Sequence, residues 1–336
     1  MTRLPTVGLI AALTLAAHAA SPQTPRALVA SEFIAPALPT PSAHASTIVE
    51  TAAGLVAAWF GGTRESAADV EIWLSRFVGG RWTTPVAVAN GVQDDGRRFP
   101  CWNPVLWRAP DGTLLLFYKV GPAPARWWGV RTESRDDGRT WSPPIRLPDS
   151  ILGPIKNKPV QLADGTLLSP SSTESTDATP IWRVHFERST DRGRTWTIVD
   201  PPDSGTIQAI PPTLLTHAGG RVQAIGRTRS SRLFETWSSD AGRTWTPLAL
   251  LDVPNPNAGI DAVTLADGRQ ILVYNNTTTG RTPLSVATSR DGKTWTPSLT
   301  LEDQPGVFVS GRDSDARRAR ARHVHVAAPK YSTRGD

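Results

Sequence analysis

The phrase Ser-x-Asp-x-Gly-x-Thr-Trp stands at 134–141, 189–196 and 238–245, and returns one residue tighter as Ser-Arg-Asp-Gly-Lys-Thr-Trp at 289–295. Its starts lie 55, 49 and 51 residues apart, and a period near fifty points to stacked supersecondary units, typically four-stranded propeller blades. Each period reads in the same order. An apolar strand comes first, as in "HASTIVE" (44–50), "NPVLW" (103–107), "KPVQL" (158–162), "PTLL" (212–215) and "DAVTL" (261–265). A Gly turn and a second strand follow, as in "GLVAAWF" (54–60) or "GTLLLFY" (112–118). A third strand, such as "WRVHFERS" (182–189), then runs into the tryptophan phrase, and a short fourth closes the unit.

Within the phrase, the Asp can accept backbone N–H groups across a hairpin, and the Gly can take the left-handed angles that the turn requires. The Trp then folds back between neighbouring sheets, burying on the order of 150–250 Å². These phrases are structural staples, not catalytic sites. Thirteen Trp, thirty Pro and twenty-seven Gly in 336 residues agree with many short strands joined by turns. The expectation is an all-β, six-bladed β-propeller over residues 31–307, with its last blade incomplete. Five units are in frame, the first with a degenerate phrase, "SRFVGGRW" (75–82).

A sixth unit should begin near residue 310, where the chain instead carries an aberrant basic tail (308–336) with an Arg-rich run at 312–323. With codons chosen freely, a one-nucleotide shift beginning within Phe308 spells "SYPAVIQTRDGRVHVTYTWRRRSIQHVV". That peptide holds an apolar strand, an Asp-Gly turn and an alternating strand, so a frameshift is one reading of the tail and a naturally basic tail the other. At the other end, Arg3, the apolar run from Val7 to Ala17 and "AHAA" (17–20) read as a signal peptide over 1–20. The run is too short to span a membrane, and export to the periplasm or the medium is expected. Cys101 is the single cysteine and has no partner for an internal disulfide. The net charge of +6 comes without an aromatic-plus-basic recognition motif, so nucleic acid is not an expected partner. There is no Gly-rich phosphate loop and no Cys/His cluster, and no cofactor or metal is expected.

The four tryptophan phrases resemble the Asp-box (BNR) repeats of sialidases, or neuraminidases, and of their bacterial exo-sialidase relatives. The resemblance covers about 31 to 307, and "WFGGTRESAADVEIW" (59–73) is similar to the sialidase segment in which an Arg precedes the acid/base Asp by five residues. It implies an exo-acting glycoside hydrolase that releases a terminal acidic sugar. In that chemistry clustered Arg hold the sugar carboxylate, a Tyr activated by a Glu replaces the usual carboxylate nucleophile, and an Asp serves as acid and then base.

Carried onto this chain, the resemblance makes Asp69 the acid/base, with Arg64 beside it, and assigns carboxylate binding to Arg227 in "AIGRTR", with Arg229 as fallback, and to Arg281. Three positions depart from the pattern: Ile34 stands where a first Arg is expected, Pro211 where the activating Glu is expected, and no Tyr opens a sixth unit in frame. His44 lies near the first of these, although a strand-capping role also accounts for it. "FPCWNPVLW" (99–107) and "GPIKNKPVQL" (153–162) bring Trp102, Asn103, Lys156, Asn157 and Lys158 towards the axis, and two Lys flanking an Asn suit an anionic ligand. "RWWG" (126–129) reads as a sugar platform or as core, and His185 and His217 as satisfied strand or turn residues. The alternatives are a non-catalytic carbohydrate-binding propeller and a hydrolase of another uronic or ulosonic acid.

Overall fold

Short apolar runs split by a Gly turn can bury both faces only if sheet follows sheet, and this is how the chain is built. The computed structural model describes residues 32–304 apart from 36, 203 and 204. The first antiparallel sheet contains β1 (Ser42–Thr51), β2 (Gly54–Gly62), β3 (Glu71–Val78), β4 (Arg81–Trp82) and β5 (Val86–Ala89). The second runs β6 (Cys101–Arg108), β7 (Leu114–Val120), β8 (Trp128–Ser134) and β9 (Ile145–Arg146). The third is β10 (Val160–Gln161), β11 (Leu167–Glu174), β12 (Trp182–Ser189) and β13 (Thr197–Val199). The fourth holds β14 (Ala209–Thr216), β15 (Val222–Thr228), β16 (Arg232–Ser238) and β17 (Ala249–Pro254). The fifth is β18 (Asp261–Thr264), β19 (Gln270–Asn275), β20 (Leu284–Ser289) and β21 (Thr296–Glu302).

The described chain is thus an all-β propeller with five blades. First strands of neighbouring blades touch through threonines: the Leu106 N–H donates to Thr47 Oγ1 (3.2 Å) and the Thr216 N–H to Thr264 Oγ1 (3.1 Å). Second strands are flanked on both edges and both faces, so every residue of β7 and β15 is buried. That explains near-continuous apolar runs in place of strict alternation. The apolar clusters join the first blade to the second, the third to the fourth and the fourth to the fifth.

The tryptophan phrases behave as staples. In 189–196, Ser189 Oγ donates to Asp191 Oδ1 (2.8 Å), the Gly193 N–H to Ser189 Oγ (2.7 Å) and the Thr195 hydroxyl to Asp191 Oδ2 (2.6 Å). Gly193 adopts φ +79°, and the Asp closes its own loop rather than reaching across a hairpin. The indole then packs on the preceding blade: Trp245 stacks on Phe186 of β12 (3.6 Å, 12°) and Trp196 meets Phe117 of β7 edge-on (6.4 Å). The degenerate phrase, lacking the Asp, is a β3–β4 hairpin through left-handed Gly79 and Gly80.

One element falls short of expectation. The strand at 158–162 is only the two residues of β10, because Lys156 turns left-handed (φ +65°) and Pro159 has no N–H to give a ladder. The sixth unit, the tail at 308–336 and the segment 1–20 lie outside the described residues.

Candidate functional site

In three blades the first strand is irregular near its start, and in the other two a left-handed residue precedes it by four positions. Bulges fall between His44 and Thr47, between Trp102 and Val105, and between Ile210 and Pro212. Ala45, Asn103, Lys156 and Asn257 all hold positive φ (48°, 41°, 65° and 60°). Bulges and left-handed non-glycine residues are costly, and they concentrate where side chains must be re-aimed. Here they ring one end of the axis.

At that end Asn103, Trp127, Lys156, Ser172, Glu174, Pro211 and Arg227 are among the residues lining a hollow of about 30 Å³. That is about the volume one water takes up in the liquid, so its floor admits one polar atom, such as a carboxylate oxygen. A cavity of about 770 Å³ also opens along the axis, but among the opposite ends of the first strands, at Thr51, Ala109, Thr216 and Thr264. Of the re-aimed residues, Asn103 and Lys156 line the smaller hollow, together with Pro211 from the β14 bulge.

Arg227 is 7% exposed at the end of β15, and its Nη1 donates to the Asn257 carbonyl (3.2 Å). Its guanidinium lies 5.2 Å from the Trp182 ring centre. Gly226 lets the wall close, since a Cβ there would come within 2.6 Å of Phe234 and 2.9 Å of the Pro211 carbonyl. Arg229, the fallback, is exposed over the same indole and donates to Pro180 (2.7 Å).

Lys156 donates to the Ile260 carbonyl (2.7 Å) and to Asn157 Oδ1 (3.0 Å). Burial pulls its pKa down to about 8, with Asp261 opposing and Arg227 and Lys158 adding to the fall. Asn157 is 1% exposed and donates to Pro212 (2.9 Å), so it ties the third blade to the fourth.

The segment carrying Lys156 is clamped from two blades. Fully buried Lys119, on β7, donates to the Pro154 carbonyl (2.9 Å). Fully buried Glu187, on β12, accepts the Leu152 and Gly153 N–H groups (2.8 and 2.7 Å), and His185 Nε2 lies 3.1 Å from it. Burial brings the Lys119 pKa to about 7, with Glu187 acting against the fall.

Three further expected residues, Arg64, Asp69 and Arg281, sit in loops joining second to third strands. Asp69 and Arg64 are exposed in the β2–β3 loop, and Asp69 accepts the Thr63 hydroxyl and its N–H (3.0 Å). That hydroxyl holds the Asp69 carboxyl below the usual range. Arg281 is half-buried between β19 and β20, where Asn275 donates to its carbonyl (2.7 Å). His44 is buried within β1 and stacks on Phe60 (5.5 Å, 20°). The structure therefore gathers Lys156 and Arg227 at the hollow and puts Arg64, Asp69 and Arg281 in loops at the same ends of their blades. Lys158 lines the larger cavity instead. Trp102 is core, its indole N–H donating to Gly121 (2.8 Å), whereas Trp127 both packs against Trp102 and lines the hollow.

Sequence reasoning missed Lys119, Glu187 and Glu174. The first two carried a signal, an ionisable residue inside a strand whose neighbours are buried. Glu174 carried none, because a polar strand end looks like any solvated one.

A family model described as the BNR repeat-like domain matches residues 53–331. A curated sialidase from Bacteroides fragilis is 27% identical over 199 residues, covering 51% of this chain and 34% of that relative, so the match spans about a third of its length. Among solved structures, the Hadza microbial sialidase Hz136 superposes with TM-score 0.66 at 21% identity, over 79% of this chain and 59% of the other. A protein of unknown function from Dyadobacter fermentans superposes with TM-score 0.65 at 18% identity, over 79% and 84%. At these identities the structural likeness establishes the fold alone.

Proposed function

We propose, for a chain that belongs to the BNR repeat-like domain family, a sialidase-like glycoside hydrolase activity on a terminal acidic sugar. One observation carries the reading: Lys156 and Arg227 line one hollow, sized for a carboxylate oxygen, beside Trp127, at the end of the blades where the Asp69 loop also lies. Two cations behind a small opening hold a carboxylate by charge-assisted hydrogen bonds, leaving the ring outside, towards the loops of Arg64, Asp69 and Arg281. In this scheme Asp69 protonates the leaving oxygen and then draws a proton from water. Thr63 holds the Asp69 carboxyl below the usual range, which favours the ionised form that the second step needs.

The covalent step is where this chain departs from its family. Tyr118 and Tyr274 are buried in second strands and neither lines the hollow, and Tyr331 lies outside the described residues. We place the missing Tyr, with a sixth blade, in the shifted reading of 308–336, so the chain as written turns over poorly. The rival reading is a binding propeller without catalysis, which Pro211 in the wall of the hollow and Ile34 before β1 favour. Export is part of the proposal, on the strength of 1–20.

A fluorogenic sialoside and a panel of other acidic glycosides, offered to this chain and to a frame-restored one, decide between them. Turnover that rises on restoration and disappears with Asp69→Ala is the expected result. Binding without turnover in both establishes the rival, and activity that survives Asp69→Ala removes the assigned acid.

A further inference from the structure

Glu174 closes β11, at the same end of its blade at which Arg227 stands on β15. It is the one carboxylate among the described residues lining the hollow, whose other charged members are Lys156 and Arg227. Its hydrogen bond comes from Trp182, whose indole N–H reaches Oε2 at 3.3 Å, and the two residues are directly paired across β11 and β12. That same indole lies under Arg227. Trp182 therefore fixes an anion-binding group and a hydrogen-bond acceptor relative to one another. A carboxylate has roughly four acceptor positions, so one indole leaves most of this one's capacity open, at the rim of the hollow it lines. A plain carboxylate ligand gains nothing from it and is repelled. A ligand with a hydroxyl or amide N–H close to its carboxylate gains a charge-assisted bond.

We propose that Glu174 is a specificity-determining residue, accepting a hydrogen bond from a hydroxyl of a sugar acid whose carboxylate Lys156 and Arg227 hold. This deepens the reading above and rests on it. Glu174 is half-buried, and the site then selects hydroxylated sugar acids over bare carboxylates, because only the former offer it a donor while the latter meet its charge uncompensated.

The test is calorimetric titration of the full chain with N-acetylneuraminate, glucuronate and cyclohexanecarboxylate, on the wild type, Glu174→Ala and Glu174→Gln. Glu174→Gln keeps an acceptor for Trp182 and so guards against a folding artefact, which circular dichroism also checks. The wild type is expected to bind at least one sugar acid more tightly than cyclohexanecarboxylate. Glu174→Ala should weaken that sugar acid about ten- to hundredfold, the usual effect of losing a charged hydrogen-bond partner, while cyclohexanecarboxylate holds or improves. Glu174→Gln should fall between. A parallel loss for all ligands, or no change for any, overturns the assignment while leaving the function standing. Failure of the wild type to bind any of the three overturns the functional reading and this assignment with it.

Discussion

Lys156 makes the most direct claim at the scale of the residue. Its folded-state pKa, about 8, lies below the ordinary 10.5, so the folded chain sheds this proton first. From this group alone, stability rises as pH climbs from about 8 to 10.5, since the unfolded chain binds more protons there. Anion binding has the opposite sign because it needs the ammonium. Affinity for a sugar acid should be level below pH 8 and then fall by up to about tenfold per pH unit. In Lys156→Arg the fall should vanish, because a guanidinium stays charged over that range. Calorimetry across the window checks both, and a wild-type profile without the fall removes Lys156 as the titrating cation.

Elements are held by burial and by closed hydrogen-bond sets, and their failures should be graded by both. Trp245 is 5% exposed and stacked on the neighbouring blade, so Trp245→Ala should cost about 3–5 kcal/mol in denaturant unfolding. The half-buried Trp196 and Trp295 should cost less. An equal cost at all three would mean that burial is not what the staple supplies. Glu187→Ala strips an acceptor from two backbone N–H groups and leaves Lys119 buried without its countercharge. A loss of about 3–5 kcal/mol is expected, together with weaker anion binding as the Lys156 segment loosens. Unchanged binding in a folded Glu187→Ala variant would show that the clamp does not position Lys156. The staple carboxylates set the acid limit. The Thr140 N–H holds Asp136, the Thr195 hydroxyl holds Asp191 and the Thr294 N–H holds Asp291, each well below the usual value of 3.8. Their folded values are depressed, so this stabilisation is complete above 3.8 and is lost as pH falls through the lower folded values. Circular dichroism should show the sheets persisting to about pH 3.

For the whole molecule, the larger cavity has walls from both the first blade (Ile48, Val49, Leu55) and the fifth (Ile271, Val273). If a sixth blade belongs between them, the chain as written should self-associate through unpaired sheet faces and edges. A frame-restored chain should be monomeric with a higher melting temperature. Sedimentation and calorimetry distinguish the two, and a monomeric, cooperatively melting chain as written would end the proposal. The blade count among described residues, the order of strands within a blade and the staples were legible in the sequence. Each follows from local rules: a fifty-residue period, a Gly where the chain reverses, an Asp within four residues of its Ser and Thr partners. Third-strand limits were legible to the residue at 182–189, because alternation and the following phrase bound them. The site was legible only in part. Lys156 and Arg227 announced themselves as charges beside strand ends, whereas their meeting depends on Lys156 turning left-handed and on Trp182 of one blade lying beneath Arg227 of the next. Glu174, Lys119 and Glu187 acquire their roles from neighbours tens of residues away in sequence. A repeat determines what each blade is, but the contents of the axis are set between blades, and only the packing of sheet against sheet decides which charges are stripped of water there.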